Sequence, residues 1–532
     1  MPKRESSLVR IVSRLLWVGT MVLLGRVAIA QLIDKTRAPN LANEGINKSF
    51  AQEVGTGRGD IMTPGSSRFI IARDPFRAIR RGRQIFQRKF ARSQGQGPGV
   101  GDGAGDINTN IAIGAGLADS CAGCHGRPRG SAGFGGDVVT RPDSRDAPQL
   151  FGLGLKEMLA DEITADLRAI RSAARAQAIA TRLPVTMALV SKGISFGSIT
   201  ALPTGLFATS GIVGVDQDLR VRPFALHGGT ISIREFLVGA FNVEMGLQAV
   251  DPDLAAASAG SRVVTPSGMV LDGSIDRIEA PPAREEREDP DGDGVTNEIP
   301  TSIVDHMEFY LLHYFKPGTG EQTNTVQQGR RKLDDLGCTS CHIPDLPIEH
   351  DRRVADLETV FDPSRGNFNR LFATATALFI ESSDNPALPT LKRPQRGRFL
   401  VRNIYTDFKR HNLGPNFWER NYDGTIRQEF LTTPLWGVGS TAPYGHDGRS
   451  INLTEVILRH GGEAQAARDA FEQLSDAERS KVLAFLGSLI LFPPDDTASN
   501  LDPGDRTTPN FPQFGHGSIK VTVLFNDPSD RE

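Results

Sequence analysis

Two short runs carry the chemistry available to this chain: Cys121-Ala122-Gly123-Cys124-His125 and Cys338-Thr339-Ser340-Cys341-His342. In a C-x-x-C-H run each thiol can add to one vinyl group of a haem, and the adjoining imidazole then stands under the iron as its proximal ligand. A zinc cage needs four converging ligands, and a redox dithiol needs no histidine. All four cysteines fall inside the two runs. None remains for a disulfide or a cage, so the expectation is two covalently bound haem c groups.

Other candidate residues are sparser. Asp289, Asp291, Asp293, Asn297 and Glu298 lie in an acidic stretch with Gly292 and Gly294 between them. This pattern lets a tight loop aim several oxygens at one hard cation, as in the first half of an EF-hand. Pro300 occupies the twelfth position, where an EF-hand has Glu. The expectation is therefore a Ca2+ loop bracing a domain junction, with a plain acidic turn as the alternative. Phe241-Asn242-Val243-Glu244-Met245-Gly246 closes an apolar run, and Glu244 is either a surface carboxylate or an acid in an apolar pocket. His460 follows Leu453, Val456 and Ile457 at helical spacing, on an apolar stripe where an imidazole must meet a polar partner or a metal. His306 and His313 share a helix face and are expected in the core before they are expected as ligands. No histidine occurs between residues 126 and 226, so no neighbouring imidazole is at hand to close the open face of the first haem.

The elements that must position these residues are mainly helical. Asp74-Pro75 supplies an N-cap and an N1 proline for a helix carrying Phe76, Ile79, Phe86 and Phe90. Its other face, with Arg77, Arg80, Arg81, Arg83, Arg88 and Lys89, is expected in solvent. Further helices are expected at 150–178, 233–248, 303–315, 326–336 and 453–463. Ser475 to Glu478 forms a capping box for the last one. Residues 184–214, rich in Val, Ile, Thr and Gly, read as strands in the core, with an apolar substrate channel as the lesser alternative.

The 532 residues give room for two or three domains, and a net charge of -3 leaves no nucleic-acid footprint. Residues 1–30 read as a signal peptide: basic residues, the apolar run Leu15 to Leu24, then Ala28-Ile29-Ala30 as a cleavage site. That run is too short to span a bilayer. A periplasmic or secreted location with no transmembrane span after processing follows, and it agrees with haem attachment outside the cytoplasm. The expected organisation is an N-terminal haem domain at 31–285 with an irregular arm up to about residue 70. The acidic linker at 286–300, a C-terminal haem domain at 301–495 and a tail at 496–532 with one strand follow it.

Together these pieces resemble the bacterial di-haem cytochrome c peroxidase superfamily, in particular its di-haem oxidoreductase branch. The resemblance spans roughly residues 75 to 493. It rests on both haem motifs, Gly82-Arg83-Gln84-Ile85-Phe86, Asn242 to Gly246, Gly329 through Cys338, and Pro443-Tyr444-Gly445-His446-Asp447-Gly448. It implies a mainly α protein of two cytochrome c-like domains, each holding one haem, with calcium near their interface. By the same resemblance His460, fourteen positions after His446, is the sixth ligand of the second haem, where relatives commonly have Met. His446 would orient that haem or a propionate, and Glu244 would be the catalytic acid-base group with Phe241 beside it. The implied activity is peroxide reduction at the first haem, with electrons relayed by the second from a small donor protein of cytochrome or cupredoxin type. Similar di-haem proteins that cleave polyisoprene with dioxygen supply an alternative, and a plain electron carrier is a third. The chain departs from the pattern in having Val243 where relatives have Pro, and in lacking the distal-histidine loop. The tryptophan that often lies between the haems is not evident either, since only Trp418 and Trp436 follow the leader. Phe224 and His227 occupy about the expected region of that tryptophan.

Overall fold

The computed structural model describes residues 49–73, 75–97, 116, 118–127, 132–135, 137–138, 145–314, 316–353, 357–359, 375–377, 379–381, 389–391, 398–421 and 424–491. The expected signal peptide, the Asp74 cap and the tail strand lie outside these residues. Helix predominates over strand, and among the described residues no helix is long and apolar enough to cross a membrane.

Helix Thr301–Leu312 is the centre of the first core. Every residue from Ser302 to Leu312 is buried: apolar side chains pack on several faces, and Asp305, His306 and Glu308 are buried with them. Helix Pro75–Gln87 crosses it so closely that a Cβ at Gly82 would run into the His306 carbonyl and the Tyr310 side chain. Phe86 meets Tyr310 edge-on at 6.0 Å. Helices Ser67–Arg73 and Ile233–Met245 complete the shell. His306 and His313 are both buried in this core.

Two expectations change here. The basic face that begins on Pro75–Gln87 is solvated only in part: Arg77 and Arg81 are buried, Arg83 and Arg88 half-buried, and Lys89 exposed. Helix Phe50–Val54 lies over it, with Arg81 Nη1 donating to the Glu53 carbonyl at 3.3 Å and Arg88 pairing with Glu53 at 2.5 Å. The arm thus supplies carboxylate and carbonyl partners that periodicity does not reveal. The core also does not divide at residue 300, because Thr301–Leu312 packs with the N-terminal helices.

A second layer forms where helix Leu153–Thr181 packs on an antiparallel sheet of Val185–Ser191, Ile194–Ala201 and Phe207–Ala208. Leu189, Ile194, Phe196 and Ile199 point into a cluster with Met158, Leu159, Ile163 and Leu167. The inward face of the sheet is spent on core packing, which is the first of the two readings that composition allowed. Leu346, Ile348, Val401, Ile404 and Trp436 extend this cluster.

A third cluster joins helices Asn324–Asp335 and Asp476–Gly487 through Val326, Leu333, Val482, Phe485 and Leu486. Ser475 and Glu478 form the reciprocal cap expected from their spacing.

One charged group holds the first core together. The Arg234 guanidinium is fully buried and contacts Asp251 at 2.8 Å, Asp305 at 2.9 Å and Glu308 at 2.9 Å. Ser67 Oγ donates to Asp305 at 2.5 Å and Thr265 Oγ1 to Glu308 at 2.9 Å. Burial opposes the charge on Arg234, yet the surrounding carboxylates hold its pKa well above the usual value. Replacing Arg234 by Leu strands three buried carboxylates, which is expected to cost about 3–5 kcal/mol in chemical denaturation. A loss below about 1 kcal/mol, the scale of an exposed pair, would contradict this account.

Candidate haem sites

The first motif is a single helical turn, Cys121–His125, started by Ser120, whose Oγ accepts from Gly123 N at 3.1 Å. His125 Nδ1 lies 2.9 Å from the Pro148 carbonyl oxygen. A carbonyl can only accept, so the proton sits on Nδ1 and Nε2 keeps the lone pair a metal requires. Burial lowers the His125 pKa to about 4, so the ring is neutral at pH 7. Burial, then the neighbouring Cys124, pushes the Cys121 thiol up to about 12.

Glu244 and Phe241 reach this motif from helix Ile233–Met245. The backbone just before the motif is laid on that helix end, with Gly116 N on the Val243 carbonyl at 3.2 Å and Ala118 N on the Glu244 carbonyl at 2.9 Å. The Cys124 thiol is raised first by burial and then by the charge of Glu244, which brings that carboxylate into electrostatic reach of the motif. Phe241 is buried, edge-on to Phe90 at 6.5 Å.

The second motif begins as a 3-10 turn, Cys338–Ser340, with no side-chain cap, but its histidine is held in the same way. His342 Nδ1 donates to the Tyr405 carbonyl at 3.1 Å, and burial is the main cause that lowers its pKa to about 4, with His460 among the others. The His460 imidazole is therefore near enough to His342 to oppose its protonation. Helix Leu453–Arg459 stops one residue short of His460, which caps it in extended conformation and donates from Nδ1 to the Val456 carbonyl at 2.7 Å. Nε2 of His460 thus also keeps its lone pair. Burial is the main cause lowering the pKa of this ring as well.

Around His460 the side chains form a cage. Phe417 meets its ring at 5.2 Å, and Phe430 stacks on His446 at 4.2 Å and 15°. His446 Nε2 is 3.7 Å from Glu419 Oε2. Arg459 binds both Asp447 oxygens at 3.1 and 2.8 Å, tying the loop that bears His446 to the helix that ends at His460. Phe417, Glu419 and Phe430 carry no signal in their spacing, because no spacing relates residues that meet only through loop folding.

The two motifs share supports. Gln149, next to Pro148, donates to the Trp436 carbonyl at 3.5 Å, and Leu435 N donates to Ile404, next to Tyr405, at 3.1 Å. Asp146 N donates to the His446 carbonyl at 3.1 Å. Trp436, buried against Gly152, thus lies in the segment that joins the carbonyl acceptors of both histidines. Trp418 is more exposed, and its Nε1 donates to Asn412 Oδ1 at 3.0 Å.

In the acidic loop the carboxylates of Asp289, Asp291 and Asp293 bring ligand atoms within 4.8 Å of one another. Gly292 N and Gly294 N donate to Asp289 at 2.9 and 3.0 Å, folding the loop around that carboxylate. Asn297 has a buried Oδ1 with no hydrogen-bond partner. Glu298 is buried apart from the three aspartates' group, its Oε2 accepting from Gln248 N at 2.6 Å.

Searching curated proteins gives no match. Among solved structures, Kuenenia stuttgartiensis hydrazine synthase is similar at 14% identity over 35% of this chain and 55% of that chain, with a TM-score of 0.21. This chain therefore spans about half the length of that structure. Residues 399–489 match the family described as "Di-haem oxidoreductase, putative peroxidase". That segment holds His446, His460 and the Tyr405 carbonyl that orients His342, and so the C-terminal part of the chain carries the di-haem oxidoreductase pattern.

Proposed function

We propose that this chain is an exported di-haem c-type oxidoreductase that reduces hydrogen peroxide at the site on His125. Electrons would enter through the site on His342 and His460. The observation that carries this reading is the paired arrangement of thiols and a half-buried, neutral imidazole whose Nδ1 is committed to a main-chain carbonyl, present in both motifs. Those residues fit a haem attached through Cys121 and Cys124 and another through Cys338 and Cys341, in two cytochrome c-like domains. Bound haem would supply one-electron redox chemistry at each site.

The protein's own part is protonic and positional. Reducing H2O2 to two waters takes two electrons and two protons, and the O–O bond breaks most easily when one carboxyl moves a proton between the oxygens. Glu244, within electrostatic reach of Cys124 and about one helical turn from buried Phe241, is the residue suited to this. The electrons would come singly from a small donor protein of cytochrome or cupredoxin type. The polyene-oxygenase alternative loses the apolar channel that favoured it, because the inward residues of strands 185–201 pack on helix Leu153–Thr181.

Peroxide-dependent oxidation of a reduced small cytochrome should be catalysed by the wild type. It should fall about 100-fold or more in kcat for Glu244→Gln, the range typical of a lost proton-transfer group. Oxygen uptake on an apolar polyene with no peroxide turnover would overturn the reading, and equal kcat in the variant would remove Glu244 from it.

We further propose that Asp289, Asp291, Asp293 and Asn297 hold Ca2+, a hard cation suited to converging oxygens. Chelation should lower the thermal midpoint, and readdition of Ca2+ but not Mg2+ should restore it. An unchanged midpoint would dismiss the site.

A further inference from the structure

We propose that His411 is a positioning residue of the second haem site, a buried ring that fastens the support of His342 to the turn carrying His460. The inference rests on the reading of those two histidines as an axial pair. His411 Nε2 lies 2.9 Å from Asp407 Oδ2, and Nδ1 lies 2.8 Å from Glu463 Oε2. Two ionised carboxylates can only accept, so both ring nitrogens donate and the ring is an imidazolium.

The partners come from the two sides of the site. Asp407 belongs to the loop whose Tyr405 carbonyl orients His342. Glu463 follows His460 and also takes Asn412 N on its Oε1 at 2.8 Å. Gly461 N on the Leu413 carbonyl at 2.9 Å and Glu463 N on the Asn412 carbonyl at 3.0 Å stitch the same two segments together. Asp407 and His411 are buried, where a charged hydrogen bond is strong and a lost one is costly. Burial disfavours the imidazolium, but in the haem-free chain Asp407, Cys341 and Glu463 outweigh it and push the pKa up to about 11, and the two carboxylate bonds remain when Cys341 is taken up by haem. The fastening therefore persists through the physiological range.

Cys341, Asp407 and His411 bring ligand atoms within 4.8 Å of one another, a spacing a metal ion could bridge. Neither nitrogen of His411 has a lone pair to give while both carboxylates hold it, and Cys341 is committed to haem in the proposed function. The geometry favours a clamp over a metal centre.

The test uses the haem-loaded protein and two variants, His411→Phe and Glu463→Gln. The readouts are the ferric low-spin EPR signal of the second haem and its rate of cyanide binding. Wild type should show a bis-imidazole low-spin signal and bind cyanide slowly there. His411→Phe should lose part of that signal and bind cyanide about tenfold faster or more, the scale of one charged hydrogen bond. The signal of the first haem should stay unchanged. Glu463→Gln, altered at a half-exposed side chain that leaves the core intact, should fall between the two and keeps the test usable if the buried substitution fails to fold. A wild type without the bis-imidazole signal would defeat the axial assignment and with it the clamp. A wild type with the signal, and variants that keep it with cyanide rates within about twofold of wild type, would overturn the clamp alone.

Discussion

An imidazole can serve iron only through a nitrogen that carries a lone pair, and what secures this is the hydrogen bond made by the other nitrogen. In His125, His342 and His460 that other nitrogen is Nδ1, and each donates to a main-chain carbonyl. Burial supplies the rest by keeping the rings neutral. His313 makes the same bond, to the Phe309 carbonyl at 2.7 Å, and burial lowers it to about 4 as well. It caps helix Thr301–Leu312 at its C-terminal end, its ring tilted against Phe309 at 4.3 Å, and it belongs to no C-x-x-C-H run. The bond alone therefore does not make a ligand: His125 and His342 are marked by the thiols of their own runs, and His460 by its nearness to His342.

The fold is arranged to hold those carbonyls still. Pro148 and Tyr405 both lie in irregular backbone, where strand and helix ladders fix nothing. Their rigidity comes from what they pack on: Phe151 and Leu153 in the first core, and Ile404 and Tyr405 in the second and third. The Arg234 network ties Asp251, Asp305 and Glu308 to one guanidinium, so helix Ile233–Met245, which bears Phe241 and Glu244, cannot shift independently of helix Thr301–Leu312. Arg58 adds the N-terminal arm by binding Asp253. Stability in this region and placement of the first site are the same physical problem.

Much of this was legible in the residues. Two of the packing helices follow from apolar spacing and caps: Pro75 begins one, Ser475 and Glu478 cap another, and both are found there. Asp289, Asp291 and Asp293 converge as alternating carboxylates around glycine should. The illegible part is tertiary. Arg234 finds carboxylates on two other segments, Asp251 on one and Asp305 with Glu308 on the other, and no local pattern distinguishes it from a surface arginine. Arg77 and Arg81 are covered by an arm whose sequence lacks periodicity. The boundary expected at residue 300 relied on composition, whereas the core continues through Thr301–Leu312, whose apolar side chains pack with the N-terminal helices and whose Asp305 and Glu308 are held by Arg234. His460 was expected inside a helix; the helix ends at Arg459, which frees the ring to cap it. His411, between Asp407 and Glu463, had no motif at all.

The division of labour between the two sites is the central claim, and ferric EPR of the purified haem-loaded protein tests it most directly. The account predicts two signals of equal spin count: an axial high-spin signal from the haem on His125, and a rhombic low-spin signal from the haem between His342 and His460. Two low-spin haems before any ligand is added, or a high-spin signal that survives at the second haem, would contradict it.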